Sequence, residues 1–279
     1  MSSPSTPGVA MERRDLDASL IGAGEPAAVE VIAAEADPFV FVCEHASNRV
    51  PRTLVDLGLP AEAFERHIAW DPGAALITRG LARRFGGAAV LQAYSRLVID
   101  CNRAPELADA ITPLSETTAI PGNVALSTAD RARRIDAVWA PFHRAIDEMM
   151  DARRIAGRPT ILVTLHSFTP IYRDVARPWH VGIIQSDDRS LTEPMLAALG
   201  ADPALTVGDN EPYSAKDNVD YTIRRHGRDR GLPHVMIEVR NDLLRTSAGI
   251  DGWTKRLGDA LATSALSLGI EVPRGAEEA

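Results

Sequence analysis

The sequence predicts an α/β fold of three layers, α/β/α, around a mixed but mostly parallel sheet. From Phe39 onward short β-branched runs alternate with longer segments of helical periodicity, the pattern of a parallel sheet covered on both faces. The composition allows it: 45% hydrophobic and 24% charged residues in 279 are ordinary for a soluble domain with a sizeable core. Residues 1–36 mix Ser, Pro, Gly, Ala and acids without periodicity and read as a flexible leader or a loosely packed cap, which leaves 37–279 as a single domain.

The strand-like runs are FVFVC (39–43), AAVLQA (88–93), RLVID (96–100), TILVTL (160–165), WHVGIIQ (179–185), ALTVG (204–208) and HVMIEV (234–239). Helical periodicity covers 73–86, 127–157, 190–200 and 250–269. Asp71 and Pro72 mark one helix entrance, Gly86 and Gly87 its stop, and Gly157 with Pro159 the end of the long central helix. The span 103–123 is long for a connection and is a candidate substrate lid.

A net charge of −8 gives no general attraction for nucleic acid or anionic membranes, so neither is an expected partner. Two cysteines make no disulfide framework, no run of eighteen apolar residues occurs, and the first residues lack a secretory apolar core; a cytoplasmic protein is expected. Oligomeric state is left open.

Ligands of open α/β sheets bind beyond the carboxyl ends of the strands, so the polar residues that follow the apolar runs matter most. FVFVC leads to Glu44 and His45, RLVID to Asn102 and Arg103, TILVTL to His166, and HVMIEV carries Glu238 with Arg240 behind it. His45 and His166 suit a divalent metal, with a nearby acid as third ligand. Asp71 is preferred over Glu44, which alternates to the other side if the strand persists; taken alone, Asp71 is also a plausible helix N-cap. Asn48 is a weak zinc ligand and, with Glu44, is instead a candidate for holding the other nitrogen of His45. Glu238 inside an apolar strand needs a partner, since burying a carboxylate is costly. His67, His143, His180 and His234 read as structural, and Cys43 as a small buried residue closing its strand.

The ordered blocks VCEHASNRVP, HIAWDPGAALITRGLA, SRLVIDCNR, LHSFTP, RPWHVGII, GDNEPYS and GLPHVMIEVRNDL resemble the N-formylglutamate amidohydrolase family from about Phe39 to Leu244. The resemblance extends to the wider group of zinc amidases and carboxypeptidases, and implies a zinc-peptidase-like (phosphorylase/hydrolase-like) fold with the metal at the strand ends. It implies zinc on His45, Asp71 and His166, and Glu238 as general base. Carboxypeptidases carry a glutamate where this chain has Asn48, so the third position falls to Asp71. Asn102 and Arg103 resemble the pair that grips a substrate carboxylate, a task the planar guanidinium suits, with Arg96 or Arg240 assisting. His226 and Tyr213 are weaker candidates for supporting or oxyanion roles.

The implied reaction is hydrolysis of the amide of an N-acylated, N-formyl acidic amino acid such as N-formylglutamate, with a small anionic substrate as the partner. Alternatives are a zinc amidase or carboxypeptidase acting on peptides or cell-wall fragments, and a non-catalytic metal-containing binder of acidic metabolites.

Overall fold

The computed structural model describes residues 19–34, 37–185, 188–214 and 220–272. Eleven strands occur among them: β1 (Val29–Ile32), β2 (Phe39–Cys43), β3 (Ala88–Gln92), β4 (Leu114–Ser115), β5 (Thr118–Ala119), β6 (Ile161–Phe168), β7 (Ile171–Tyr172), β8 (Val175–Ala176), β9 (Val181–Ile184), β10 (Val207–Asp209) and β11 (His234–Arg240). The helices are α1 (Ala74–Phe85), α2 (Thr128–Arg134), α3 (Ala140–Ile155), α4 (Thr192–Gly200) and α5 (Ser247–Ser267). Seven strands form one sheet in the order β1-β3-β2-β6-β11-β9-β10; β4-β5 and β7-β8 are separate hairpins. Strands β3, β2, β6 and β11 are mutually parallel, and β1 and β9 run antiparallel to their neighbours β3 and β11. The expected mixed, mostly parallel sheet is the one found.

Alternation along β2 builds both outer layers. Phe39, Phe41 and Cys43 join a core with residues of α1, α4 and α5, while Val40 and Val42 join one with Phe142, Ile146 and Met150 of α3. All five β2 residues are buried, as a strand covered on both faces requires.

Three expectations are corrected. RLVID is not a strand: the chain leaves the sheet after Gln92, and Val98 N donates to Ser95 O at 2.9 Å in a turn. Ser95 Oγ fixes that turn by donating to Ala69 O at 2.7 Å and accepting from Leu97 N at 3.1 Å. Leu97, Val98 and Ile99 are nonetheless buried, so the apolar run signals burial and not period. The stretch 127–157 holds α2 and α3 joined by a wide π turn, Ile135–Trp139, just before Pro141, which cannot donate to the helical ladder.

The third correction concerns the leader. Residues 19–34 pack on the domain: β1 pairs with β3, Leu20 is buried, and Tyr94 Oη donates to Pro26 O at 2.7 Å. β1 covers what would be an exposed edge of β3. Residues 1–18 lie outside the described residues.

Two buried charges have consequences for stability. Arg134 is 1% exposed and donates to Val98 O (3.0 Å), Asn123 Oδ1 (2.6 Å) and Gly122 O (3.0 Å). Asn123 in turn donates to Leu97 O and Thr112 O, so this pair ties both ends of the long 103–123 span together. Arg134→Met is expected to leave these acceptors unpaired and cost about 2–4 kcal/mol. Urea unfolding measures the loss, and proteolysis should cut first within 103–123.

Asp37, 1% exposed, accepts from Phe39 N through Oδ1 while Oδ2 has no partner among the described residues. Burial pushes its pKa up to about 6. Its folded value therefore exceeds the unfolded one, and stability falls as pH rises from about 4 through 6. Asp37→Asn keeps the acceptor and should flatten that slope, adding on the order of 2 kcal/mol at pH 7. Unfolding free energies at pH 4 and pH 7 check it.

Candidate active site

Four parallel strands open onto one edge of the sheet. The exit of β3 brings Arg96, Asp100 and Asn102, the exit of β2 brings Glu44 and His45, and β6 and β11 bring His166 and Glu238. His166 and Glu238 are register partners on adjacent parallel strands, so both project from the same face. β6 continues to Phe168, which keeps His166 within the strand.

Asp71 arrives from a loop. Its N–H donates to His45 O at 2.9 Å, and Gly73, at φ +87°, turns the chain into α1 where any Cβ would press into the Leu244 side chain. The carboxylate of Asp71 does not cap α1; Oδ2 lies 2.8 Å from His166 Nδ1, 3.3 Å from His45 Nδ1 and 3.3 Å from Ser167 N. One ligand atom from each of His45, Asp71 and His166 lies within 4.8 Å of the other two, all three residues are buried, and such a group could hold a metal ion.

The outward nitrogens of both imidazoles face carboxylates. His45 Nε2 is 2.8 Å from Asp100 Oδ1, and His166 Nε2 is 3.1 Å from Glu44 Oε2, an ion-pair distance without hydrogen-bond alignment. This leaves Nδ1 of each ring facing Asp71, the arrangement by which outer carboxylates fix a ligand imidazole. Glu44 does not sit behind His45, where the sequence places it. It lies beside His166 because it shares the parity of Val42, whose partner in β6 is Thr164, two residues before His166. Asp100 is the residue that sequence reasoning misses, although it stands two positions before Asn102 at the end of an apolar run.

The charges of the cluster hold one another against burial. Burial opposes ionisation of Asp71, but His45 and His166 hold its pKa far below the usual carboxylate range. Burial likewise disfavours a charged His166, yet Glu44 and Asp71 raise it well above an ordinary histidine. His45 is raised by Asp100 and Asp71 against burial and Arg96. Glu238 behaves differently: burial, with the Asp71 charge adding to it, pushes it up to about 7 although His166 pulls the other way. Its Oε2 has no hydrogen-bond partner among the described residues.

A pocket of about 210 Å³ opens over these groups. Its walls include the expected Arg96, Asn102, Arg103 and Tyr213, together with His67, Glu116 and Tyr172, for which the sequence carries no such expectation. Arg96 reaches Asp100 Oδ2 at 2.7 Å and Asp71 Oδ1 at 3.6 Å. Asn102 is buried and accepts from Thr222 N at 3.0 Å; Arg103 Nε reaches Asp109 Oδ2 at 3.2 Å. Glu116, at a hairpin tip in the span expected as a lid, pairs with Arg66 at 3.2 Å and His67 at 3.3 Å.

Three expected residues are not brought to the pocket. Asn48 Nδ2 donates to Phe64 O at 2.9 Å. Arg240 is captured by Asp242, two residues on, at 2.8 Å. His226 is buried and stacked on His143, with Nε2 2.9 Å from His143 Nδ1, and burial and the neighbouring His143 push it down to about 3. In the fragment YTIRRHGRDR, Ile223–Gly227 form a wide π turn and Arg228–Arg230 a 3-10 turn, and Arg225 reaches Asp147 of α3, a direction nothing in the composition signals.

A buried carboxyl, Glu238, beside a buried donor set at the open end of a parallel sheet is an arrangement suited to a hydrolase. The chain belongs to the N-formylglutamate amidohydrolase family, whose profile matches residues 37–245, and is an amidohydrolase. It is similar to gene product Atu2144 of Agrobacterium tumefaciens, with 39% identity over 90% of this chain and 99% of that one, and a TM-score of 0.87. The fold is also that of an N-formylglutamate amidohydrolase from Ralstonia eutropha JMP134, at 19% identity over 88% and 98% of the two chains, TM-score 0.59. No curated protein matches the chain.

Proposed function

We propose that this amidohydrolase is zinc-dependent and cleaves the amide of an N-formylated acidic amino acid, N-formylglutamate being the reference substrate. The observation that carries the reading is the convergence of His45 Nδ1, His166 Nδ1 and Asp71 Oδ2 beside Glu238. The donor set fits a divalent ion on charge as well as on chemistry. Three buried carboxylates, Glu44, Asp71 and Asp100, are balanced by Arg96 and by protons on the two histidines, and a dication replaces those two protons without changing the total.

Such an ion supplies Lewis acidity, acidifying a water and polarising the amide carbonyl. Glu238 accepts the proton of the attacking water and returns it to the departing nitrogen, a task suited to a carboxylate with a pKa of about 7. Water oxygen bonds to the formyl carbon, the C–N bond breaks, and formate and the free amino acid result. Arg103, with Asn102 beside it, holds the α-carboxylate. Arg96 keeps Asp100 ionised and, 3.6 Å from Asp71, helps to hold both carboxylates in place.

A small anionic substrate explains how a chain of net charge −8 works on an anion: local arginines suffice. The cytoplasm is the proposed setting, supported by two buried free thiols, Cys43 and Cys101. No helix among the described residues is long and apolar enough to cross a membrane.

Metal analysis of the purified protein, then assay of N-formyl and N-acetyl amino acids with and without chelator, tests the reading. One equivalent of zinc and chelator-sensitive release of formate are expected. Undiminished hydrolysis after complete removal of metal would overturn it.

A further inference from the structure

Three arginines stand in or against the pocket, and two are already committed. Arg96 serves Asp71 and Asp100, and Arg103, which also pairs with Asp109 and donates to Asn102 O, is assigned above to the α-carboxylate. Arg177 is different. It leaves the β7-β8 hairpin, its N–H donating to Pro170 O at 2.8 Å, and its guanidinium carbon stands 4.6 Å from the Tyr172 ring centre, 4.9 Å from Tyr213 and 5.9 Å from Phe168. Tyr172 and Tyr213 both line the catalytic pocket. No acidic side chain among the described residues pairs with Arg177. Aromatic faces hold a cation in place without cancelling its charge, so this guanidinium keeps both its charge and most of its donors for an anion.

Tyr213 completes the arrangement. Arg177 Nη1 donates to Tyr213 Oη at 3.2 Å, which uses an acceptor position of the hydroxyl and leaves its single proton to be donated elsewhere. Burial, reinforced by the Glu238 charge, pushes this phenol up to about 12, so it remains a donor at neutral pH. A cationic N–H and a phenolic O–H a few ångströms apart match the two oxygens of one carboxylate.

We propose that Arg177 and Tyr213 form the subsite for the side-chain carboxylate of the substrate and thereby select dicarboxylic over monocarboxylic amino acids. The inference rests on the amide-hydrolysis reading above and adds the residues that read the side chain. Arg177 acts here as a specificity residue, with no part in bond breaking.

The test compares L-glutamate with L-glutamine, which differ only in the charge of the side-chain terminus. Binding to the zinc-loaded protein is measured by calorimetry, and kcat/KM is measured for the two N-formyl derivatives. The parent should favour glutamate by at least about tenfold, since a site built for a polar group rejects the analogue that cannot pair with it. Arg177→Met keeps a stem against the rings and should bring the ratio within about threefold, by weakening glutamate while leaving glutamine unchanged. Tyr213→Phe, which removes one hydroxyl, should lose a smaller part of the same preference, and Arg177→Lys should restore some of it. Equal weakening of both ligands by Arg177→Met would mark a structural role and overturn the proposal, as would a parent that does not discriminate. If the binding pattern holds and no N-formyl amino acid is hydrolysed, the proposed reaction fails and the subsite stands. If hydrolysis occurs with a preference indifferent to both residues, the reaction stands and the subsite fails.

Discussion

Glu238→Gln is expected to lower kcat by roughly two to four orders of magnitude while leaving metal content unchanged, the usual range for losing a general base. Glutamine keeps the shape of the side chain in β11, so the register with His166 and the pocket wall should persist. What it loses is the capacity to take and return a proton. The same substitution should make the metal-stripped protein more stable. The folded pKa of Glu238, about 7, exceeds the value of 4.5 for an unperturbed glutamate because the carboxyl is buried. The native state therefore loses stability as pH rises from about 4.5 through 7, and the glutamine variant does not. Above pH 7 the gain should be on the order of 2 kcal/mol, a case in which an active site is kept at the expense of stability. Steady-state kinetics with metal analysis, and unfolding at pH 5 and pH 8, measure the two halves. A variant with kcat within threefold of the parent would remove Glu238 from the role of base.

The sheet is legible in the sequence because buried strands announce themselves. FVFVC, TILVTL and HVMIEV are apolar on both faces, and the polar residues that break the pattern at their ends are those the parallel strands bring to one edge. Asp71 is legible through its place before a helix, although the structure uses Gly73 and not the Asp71 side chain at that helix entrance. The misses share a cause. Asp100, Glu116, Tyr172 and Arg177 lie in turns and hairpins whose direction is set by contacts far along the chain, such as Ser95 with Ala69 or Arg134 with Gly122. Local periodicity carries no signal for such contacts. His226 shows the converse error: a histidine among arginines looks reactive, and its partner His143 is 83 positions away.

His166→Ala should abolish metal retention and activity, and it should also damage the fold in a way that identifies the partner of Glu44. The Glu44 side chain is 0% exposed, and His166 is the foremost group holding its pKa below the ordinary value against burial. In the parent, that depressed pKa contributes stability above about pH 4.5 that is lost as pH falls. Without His166 the burial of Glu44 dominates, and its folded pKa moves above the unfolded one. In the parent the Glu44 contribution is level above about pH 4.5; in the variant it falls as pH rises, so the decline of stability between about pH 5 and 7 becomes steeper. At pH 8 the cost of an unpaired buried carboxylate should be about 3–5 kcal/mol, in addition to the lost packing of the ring. Adding Glu44→Gln should recover much of that cost and flatten the slope without restoring the metal. Urea unfolding of the metal-stripped single and double variants at pH 5 and pH 8 separates the two roles of His166. An unchanged slope in His166→Ala would mean that Glu44 is held by other neighbours, and the carboxylate behind that ring would lose its assigned partner.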